Sequence, residues 1–285
     1  MGTYENCYNI IADVRRDINE YSVSYVQGAD EGAFSNEYIT QKINLSQKHL
    51  YHILFKRIPH EFEKEVPLTA VNSVFTLPAD FGSLIWFKDD NGYPVYPIGS
   101  KDQYPGGGSR QQYYRRGNTL ILDKAGLTRT YTLIYKWKPR AIFSGKATAG
   151  GSTTITFPDT ASKIVDYYND MIIENITKDW YDTILDYAAD RVATIEAQTA
   201  AQDDYFGIVS DLPDEFHHLI APRATMLVKQ SPISQSQVTK SEKDMYAEGL
   251  IEALRAFAGQ KEDVDPIEIF TDFDSPGYPS GIIAL

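Results

Sequence analysis

Cysteine is nearly missing from this chain, with Cys7 alone among 285 residues. One thiol cannot close an intramolecular disulfide, so burial must hold the fold and a reducing compartment is expected. Cys7 falls on the apolar side of an expected helix and reads as a small core residue, not a nucleophile. Apolar runs long enough to span a bilayer are absent as well, so no membrane partner is expected. The opening residues, Met1-Gly2-Thr3-Tyr4-Glu5-Asn6, carry neither the basic nor the apolar region of a signal peptide, and synthesis in the cytosol is expected. Basic residues are in deficit: 27 Lys and Arg stand against 39 Asp and Glu, a formal charge of −12. That balance disfavours generic attraction to nucleic acid.

Catalytic signatures are missing too. His49 and His52 sit at i and i+3 of an expected helix, but two ligands with no HExxH motif make a poor metal site. The adjacent His217 and His218 point apart. Gly106-Gly107-Gly108-Ser109 has no Walker lysine and follows Pro105 instead of a strand, so it is no phosphate loop. A Gly-x-Ser-x-Gly elbow is not found. The carboxylate pairs Asp89-Asp90 and Asp203-Asp204 fall in expected turns, where Asp is favoured for backbone reasons. No catalytic, cofactor-binding or metal-binding residue is assigned, and an enzyme is not expected.

Strand patterns are plentiful between residues 73 and 139. Val74 to Phe81 and Leu84 to Phe87 are answered, after Asp90-Asn91-Gly92, by Tyr93 to Ile98. Gln111 to Tyr114 and Thr119 to Leu122 flank Arg115-Arg116-Gly117-Asn118. In the closing segment Tyr131, Leu133, Tyr135 and Trp137 fall on one face of an extended chain. Such alternation with Asn-Gly and Gly-Asn breaks predicts β-hairpins, here a meander of about five strands.

Helical periodicity brackets the meander. Tyr4, Cys7, Ile11, Val14, Ile18, Tyr21 and Tyr25 form one stripe. Ile39, Ile43, Ser46, Leu50, Ile53 or Leu54, and Ile58 form a second, capped by Ser35 or Asn36 and ended by Pro59. Farther on, 213–229 carries Phe216, Leu219, Ile220, Ala224 and Leu227, with Pro222 predicting a kink or a late start. Residues 241–257 place Met245, Tyr246, Leu250, Leu254 and Phe257 inward, with Gly259 just past the end. Between 148 and 212 β-branched residues come in short bursts, at 153–157, 170–177, 183–187, 191–196 and 205–209, which predicts strands.

The expected fold is therefore α+β: a four-helix bundle core, a β-hairpin meander between helices 2 and 3, an inserted small β-domain and an extended C-terminal arm. The expected divisions are 1–60 (helical hairpin), 61–147 (meander), 148–212 (insert), 213–259 (second helical hairpin) and 260–285 (arm). In the arm Pro266, Pro276 and Pro279 preclude a helix. Yet Ile267, Ile269, Phe270, Phe273, Tyr278, Ile282, Ile283 and Leu285 are too apolar for a solvated tail, and their spacing suits docking on another protein. A further feature is a basic stretch in this acidic chain. Arg110, Arg115, Arg116, Lys124, Arg129, Lys136, Lys138 and Arg140 stand against one acid, Asp123. That stretch is a candidate contact surface for an acidic neighbouring subunit or for DNA phosphate.

Phe75-Thr76-Leu77-Pro78-Ala79-Asp80-Phe81, the Tyr-rich Gly-Asn hairpin, and Tyr131 to Pro139 resemble the head-to-tail adaptor (connector, or tail accessory) proteins of tailed bacteriophages. The resemblance implies a structural virion protein at the portal vertex. It implies a ring of twelve copies that joins the portal to the tail and extends the DNA channel. Its partners would be the portal protein, tail nozzle, stopper or fibre proteins, and genomic DNA passing without sequence-specific binding. The 260–285 arm would grip the portal. Two other readings stay open. One is a tail-fibre or carbohydrate-attachment module with Tyr167, Tyr168, Trp180 and Tyr181 as an aromatic platform; the other is a virion-associated cell-wall hydrolase with no nominated residue.

Overall fold

The first helix is fixed by a side chain outside it. Asn6 accepts a hydrogen bond from the Asn9 amide at 3.0 Å and so caps α1 (Cys7–Asp17), satisfying one of the donors every helix start leaves open. The helix stops well before Tyr25. Asn19 turns to φ +60°, a left-handed conformation that Asn tolerates and that ends a helix. The expected long stripe is thereby divided, and only the single turn α2 (Val23–Val26) follows it. Next comes α3 (Asn36–Arg57), capped by Ser35 through the Tyr38 amide. It buries Ile39, Ile43, Ser46, Leu50, Ile53 and Leu54, the face its periodicity predicts. Gln47 is buried there as well, accepting a hydrogen bond from the Ser210 hydroxyl.

The computed structural model describes residues 5–28, 32–98, 111–123, 128–196, 198–232, 234 and 237–257. A 3₁₀ turn, Pro59–Phe62, leads into β1 (Glu63–Thr69). Then come β2 (Val74–Thr76), β3 (Phe81–Lys88), β4 (Tyr96–Pro97), β5 (Gln112–Arg116), β6 (Thr119–Leu122) and β7 (Thr130–Trp137). Two short strands follow, β8 (Ser144–Lys146) and β9 (Ala149–Gly150). The next six are β10 (Thr154–Thr156), β11 (Ile172–Asn175), β12 (Trp180–Thr183), β13 (Asp186–Tyr187), β14 (Val192–Thr194) and β15 (Tyr205–Ile208). The described chain ends with a 3₁₀ turn, Asp214–Leu219, α4 (Ile220–Lys229) and α5 (Lys240–Phe257).

The expected four-helix bundle core is not what forms. The described residues hold five helices, one of them a single turn, and fifteen strands in four sheets, so the fold is mostly β. The helical stripes close partly on sheets. α1, α3 and α4 pack on one another, but α1 also lies against β15 and β8. The far end of α3 sits on β7, where the Tyr51 hydroxyl donates to the Trp137 carbonyl at 2.8 Å and the Phe62 ring meets both Tyr51 and Trp137. α4 begins late, at Ile220, with Pro222 inside its first turn, where a missing amide hydrogen costs nothing. In α5, Tyr246, Leu250, Ala253 and Leu254 are buried, whereas Met245 is 68% exposed and not inward.

A simple meander does not form either. β7 runs between β1 and β3 in a three-stranded antiparallel sheet, and β1 was not expected as a strand. β2, β6, β5 and β4 make a second sheet, with β4 parallel to β5. The hairpin at Gly117 (φ +60°) forms as its Gly-Asn break suggests. β7 is buried at Tyr131, Leu133, Tyr135 and Trp137, as the alternation requires. Phe75, Phe87, Tyr113 and Tyr131 join the two sheets through ring contacts of 5.0–5.6 Å.

Residues 144–208 build two more sheets, in the orders β12-β11-β15-β8 and β13-β14-β10-β9. Phe143, Phe157, Tyr168, Tyr187 and Phe206 fill the space between them, with Phe157 stacked on Phe206 at 4.8 Å. Many turns here use Asp at positive φ, at Asp166, Asp170, Asp179 and Asp203. A short side chain that bonds its own backbone lowers the cost of that conformation. These sheets are joined to α1 directly. The Asn6 amide donates to Glu174 at 2.6 Å, and Asn6 bridges Val209 backbone to backbone.

Gly207 makes that junction possible, because a Cβ there would lie 2.3 Å from Asn6 Oδ1 and 2.9 Å from the Tyr8 amide nitrogen. Gly207→Ala is expected to destabilise the protein by about 1–3 kcal/mol, the usual cost of overpacking. Urea unfolding checks this; an unchanged midpoint would show that α1 and β15 separate freely.

Candidate functional site

The basic stretch divides when folded. Arg140 lies inside the protein: its Nε and Nη2 donate to the two carboxylate oxygens of Asp211 at 2.8 and 2.9 Å, and Nη1 donates to the Tyr167 and Asn169 carbonyls. Burial disfavours its charge, but Asp211 outweighs that effect and holds the guanidinium above its ordinary value. Lys136 is also largely enclosed, donating to Glu63 and to the Pro59 carbonyl, both at 2.6 Å. Both side chains serve the interior, so neither is open to a partner. Arg129 is exposed and lies 3.6 Å from Asp90. Arg115, Arg116 and Lys138 are exposed. Arg110 lies outside the described residues, as does the whole 260–285 arm with Ile267, Ile269, Phe270, Phe273, Tyr278, Ile282, Ile283 and Leu285.

A second polar knot, which the sequence does not suggest, supports this surface. Asp80, from the Leu-Pro-Ala-Asp turn, takes a hydrogen bond from the Tyr135 hydroxyl at 2.7 Å and from Lys64 at 2.6 Å. Its carbonyl accepts from the Lys138 amide. Burial, and then this carboxylate, push the Tyr135 phenol up. The turn between β2 and β3 is thus tied to β1 and β7, with partners dozens of residues away that no local motif could name.

Between the first two sheets lies an open groove of about 350 Å³. Phe81, Leu84, Pro97, Ile98, Tyr113, Tyr114 and Leu120 line it, and Arg115 closes one side with its guanidinium 4.9 Å from the Phe81 ring. Ile98 is 51% exposed and Tyr114 44%, and Trp86 stands open farther along β3. The lining is apolar with a single cation, an arrangement suited to holding a peptide segment, with no group placed to cleave one.

Among the described residues no three His, Cys, Asp or Glu side chains converge on a metal position, and no helix is long and apolar enough to cross a membrane. Cys7 is fully buried, and burial raises its thiol to about 12, which suits a core residue. His52 and His218 are exposed, while His49 and His217 are enclosed by neighbouring helices. The suggested aromatic platform does not assemble. Tyr168 is 3% exposed within the core, the Tyr167 hydroxyl accepts from the Ala141 amide, and the Trp180 indole donates to the Thr199 carbonyl.

Two outcomes follow. Arg140→Met leaves Asp211 buried without its partner and is expected to cost about 3–5 kcal/mol, whereas Arg116→Met stays within about 0.5 kcal/mol; urea unfolding of both variants checks this. Burial, followed by the Arg223 and His52 charges, pushes His49 down to about 3, and burial lowers His217 too. The folded state favours both neutral imidazoles, so the stability they carry is complete above the unfolded value. It is lost as pH falls below about 6.5, by up to about 1.4 kcal/mol per pH unit for His49, and for His217 only until its own lowered value is passed. Unfolding midpoints between pH 7 and 5 should fall, and His49→Leu should flatten that slope.

Comparison with known proteins agrees with a contact role. The family model described as SU10 adaptor protein matches residues 6–168, from the cap of α1 through both groove-forming sheets and into the strands beyond. No curated protein matches. The matched span exceeds half of the chain, and the chain belongs to the SU10 adaptor protein family, the phage structural adaptors whose place is in the virion.

Proposed function

We propose that copies of this chain form a ring that joins the portal to the tail and extends the channel through which DNA passes. The observation that carries this reading is the adaptor-family match over 6–168. Physical features support it. A net charge of −12 lets DNA slide past without sticking. Exposed Arg115 and Arg116 on β5, and Lys138 just past β7, in an acidic chain favour head-to-tail association of copies, the geometry by which rings close. Twelve copies are what the adaptor resemblance implies.

In this reading the 260–285 arm docks on the portal, using spaced apolar anchors as an extended segment does when it adds to a sheet or fills a row of pockets. Residues 1–60 and 213–259 supply the ring body, and 61–147 supplies the contact sheets. The strands of 148–212 form a β-rich module directed at tail proteins.

Mass measurement of the purified chain, alone and mixed with portal protein, tests the proposal. The expected result is a ring-sized assembly that forms, or becomes stable, on the portal. A chain that remains monomeric with portal under all conditions overturns it. Ile282→Asp combined with Ile283→Asp is expected to abolish portal capture while leaving the unfolding midpoint unchanged.

A further inference from the structure

We infer that the groove between β3 and β5 is the seat for the acidic segment 262–274 of a second copy of this chain, laid alongside β3 as an added strand. The inference rests on the ring reading and names the surface through which neighbouring copies hold one another.

Three observations converge on it. First, β3 is the outer strand of the order β1-β7-β3, and among the described residues no strand pairs with its other side over 82–86. An edge of this kind offers backbone donors and acceptors to an incoming chain. Second, the groove beside that edge is apolar, with Leu84, Ile98 and Tyr114 accessible. Third, the charge is complementary. Arg115 borders the groove and Arg116 follows it, both exposed, while residues 260–285 contain six acidic residues and one basic one.

The sequence of the segment fits an edge-strand guest. Ile267, Ile269, Thr271 and Phe273 alternate with Glu268, Phe270, Asp272 and Asp274. In an extended chain the first set falls on one face and three carboxylates on the other. The apolar set suits the groove, and the acids on the other face stay at the solvent side, where they give the segment the negative charge that exposed Arg116 attracts. Segment and seat belong to the same sequence, and α5, which leads into the segment, packs on α4 and on the 3₁₀ turn Asp214–Leu219, elements that do not line the groove. A donor and an acceptor from separate parts of one chain make a heterologous contact, the kind that propagates from copy to copy until a ring closes. The terminal residues 275–285, with Tyr278, Ile282, Ile283 and Leu285, remain for the portal.

The test places the photo-crosslinker p-benzoyl-phenylalanine at position 98 of the full chain. Equal amounts of ¹⁴N and ¹⁵N protein are mixed, assembled with portal, irradiated and digested for mass spectrometry. The expected product joins residue 98 to a peptide within 262–274 carrying the other isotope. Ile98→Glu and Arg116→Glu, both at exposed positions, are expected to weaken association between copies by about tenfold or more, with added salt reducing the effect of Arg116→Glu. Same-isotope products with no mixed-isotope product, a product with residues 99–110, a product with portal or no product overturns the inference. If rings form on the portal and the crosslink fails, the adaptor reading stands and this contact falls. If no assembly forms at all, both fall.

Discussion

One buried cation holds the parts of this protein together. The Arg140 guanidinium, placed just beyond β7, grips both oxygens of Asp211 and two carbonyls of the 167–169 turn. Three regions meet there: the central strand of the first sheet, the strands of 144–208, and the lead-in to α4. Hydrogen bonds to a charged group inside a protein are strong, and one left unpaired is costly. The geometry is therefore all or nothing, and it fixes the direction in which the chain leaves β7.

The rest of the assembly repeats the same device at lower stakes. Asn6 caps its own helix and reaches Glu174. Asn44 exchanges hydrogen bonds with both backbone groups of Ile142. The Ser46 hydroxyl donates to the Ile220 carbonyl at the start of α4. Arg15, fully buried, donates to the Phe34 carbonyl and to Asn36. Each polar side chain on a helix replaces a fragment of secondary structure that a short strand or a loop would otherwise lack. Short strands make marginal sheets by themselves. A fold built of fifteen of them needs such cross-ties, and it leaves edges such as that of β3 for other chains.

Function follows from what those ties leave outside. The interior absorbs Arg140, Lys136, His49, His217 and Cys7, the groups that might otherwise suggest chemistry. Accessible instead, among the described residues, are an apolar groove, a strand edge with no strand beside it and a few unburied cations. A surface of this type is built to be held by another chain, in keeping with a family of phage structural adaptors.

Periodicity alone determined much of the local structure. The β7 face, the α3 stripe, the Gly117 hairpin and the late start of α4 are all legible, because each depends on neighbours within a few residues. The long first helix failed at Asn19, where one left-handed residue ended a stripe whose spacing was otherwise sound. The four-helix core failed for a deeper reason. An apolar stripe states that a face must be buried, but not whether a helix or a sheet will cover it, and here β7, β8 and β15 shared the covering with the other helices. Likewise a count of basic residues could not separate Arg140 from Arg116, because what divides them is a carboxylate 71 positions away. Sequence set which residues avoid water and which segments turn; only the packing of distant segments decided which charges were enclosed, which strands became neighbours and which edge was left open.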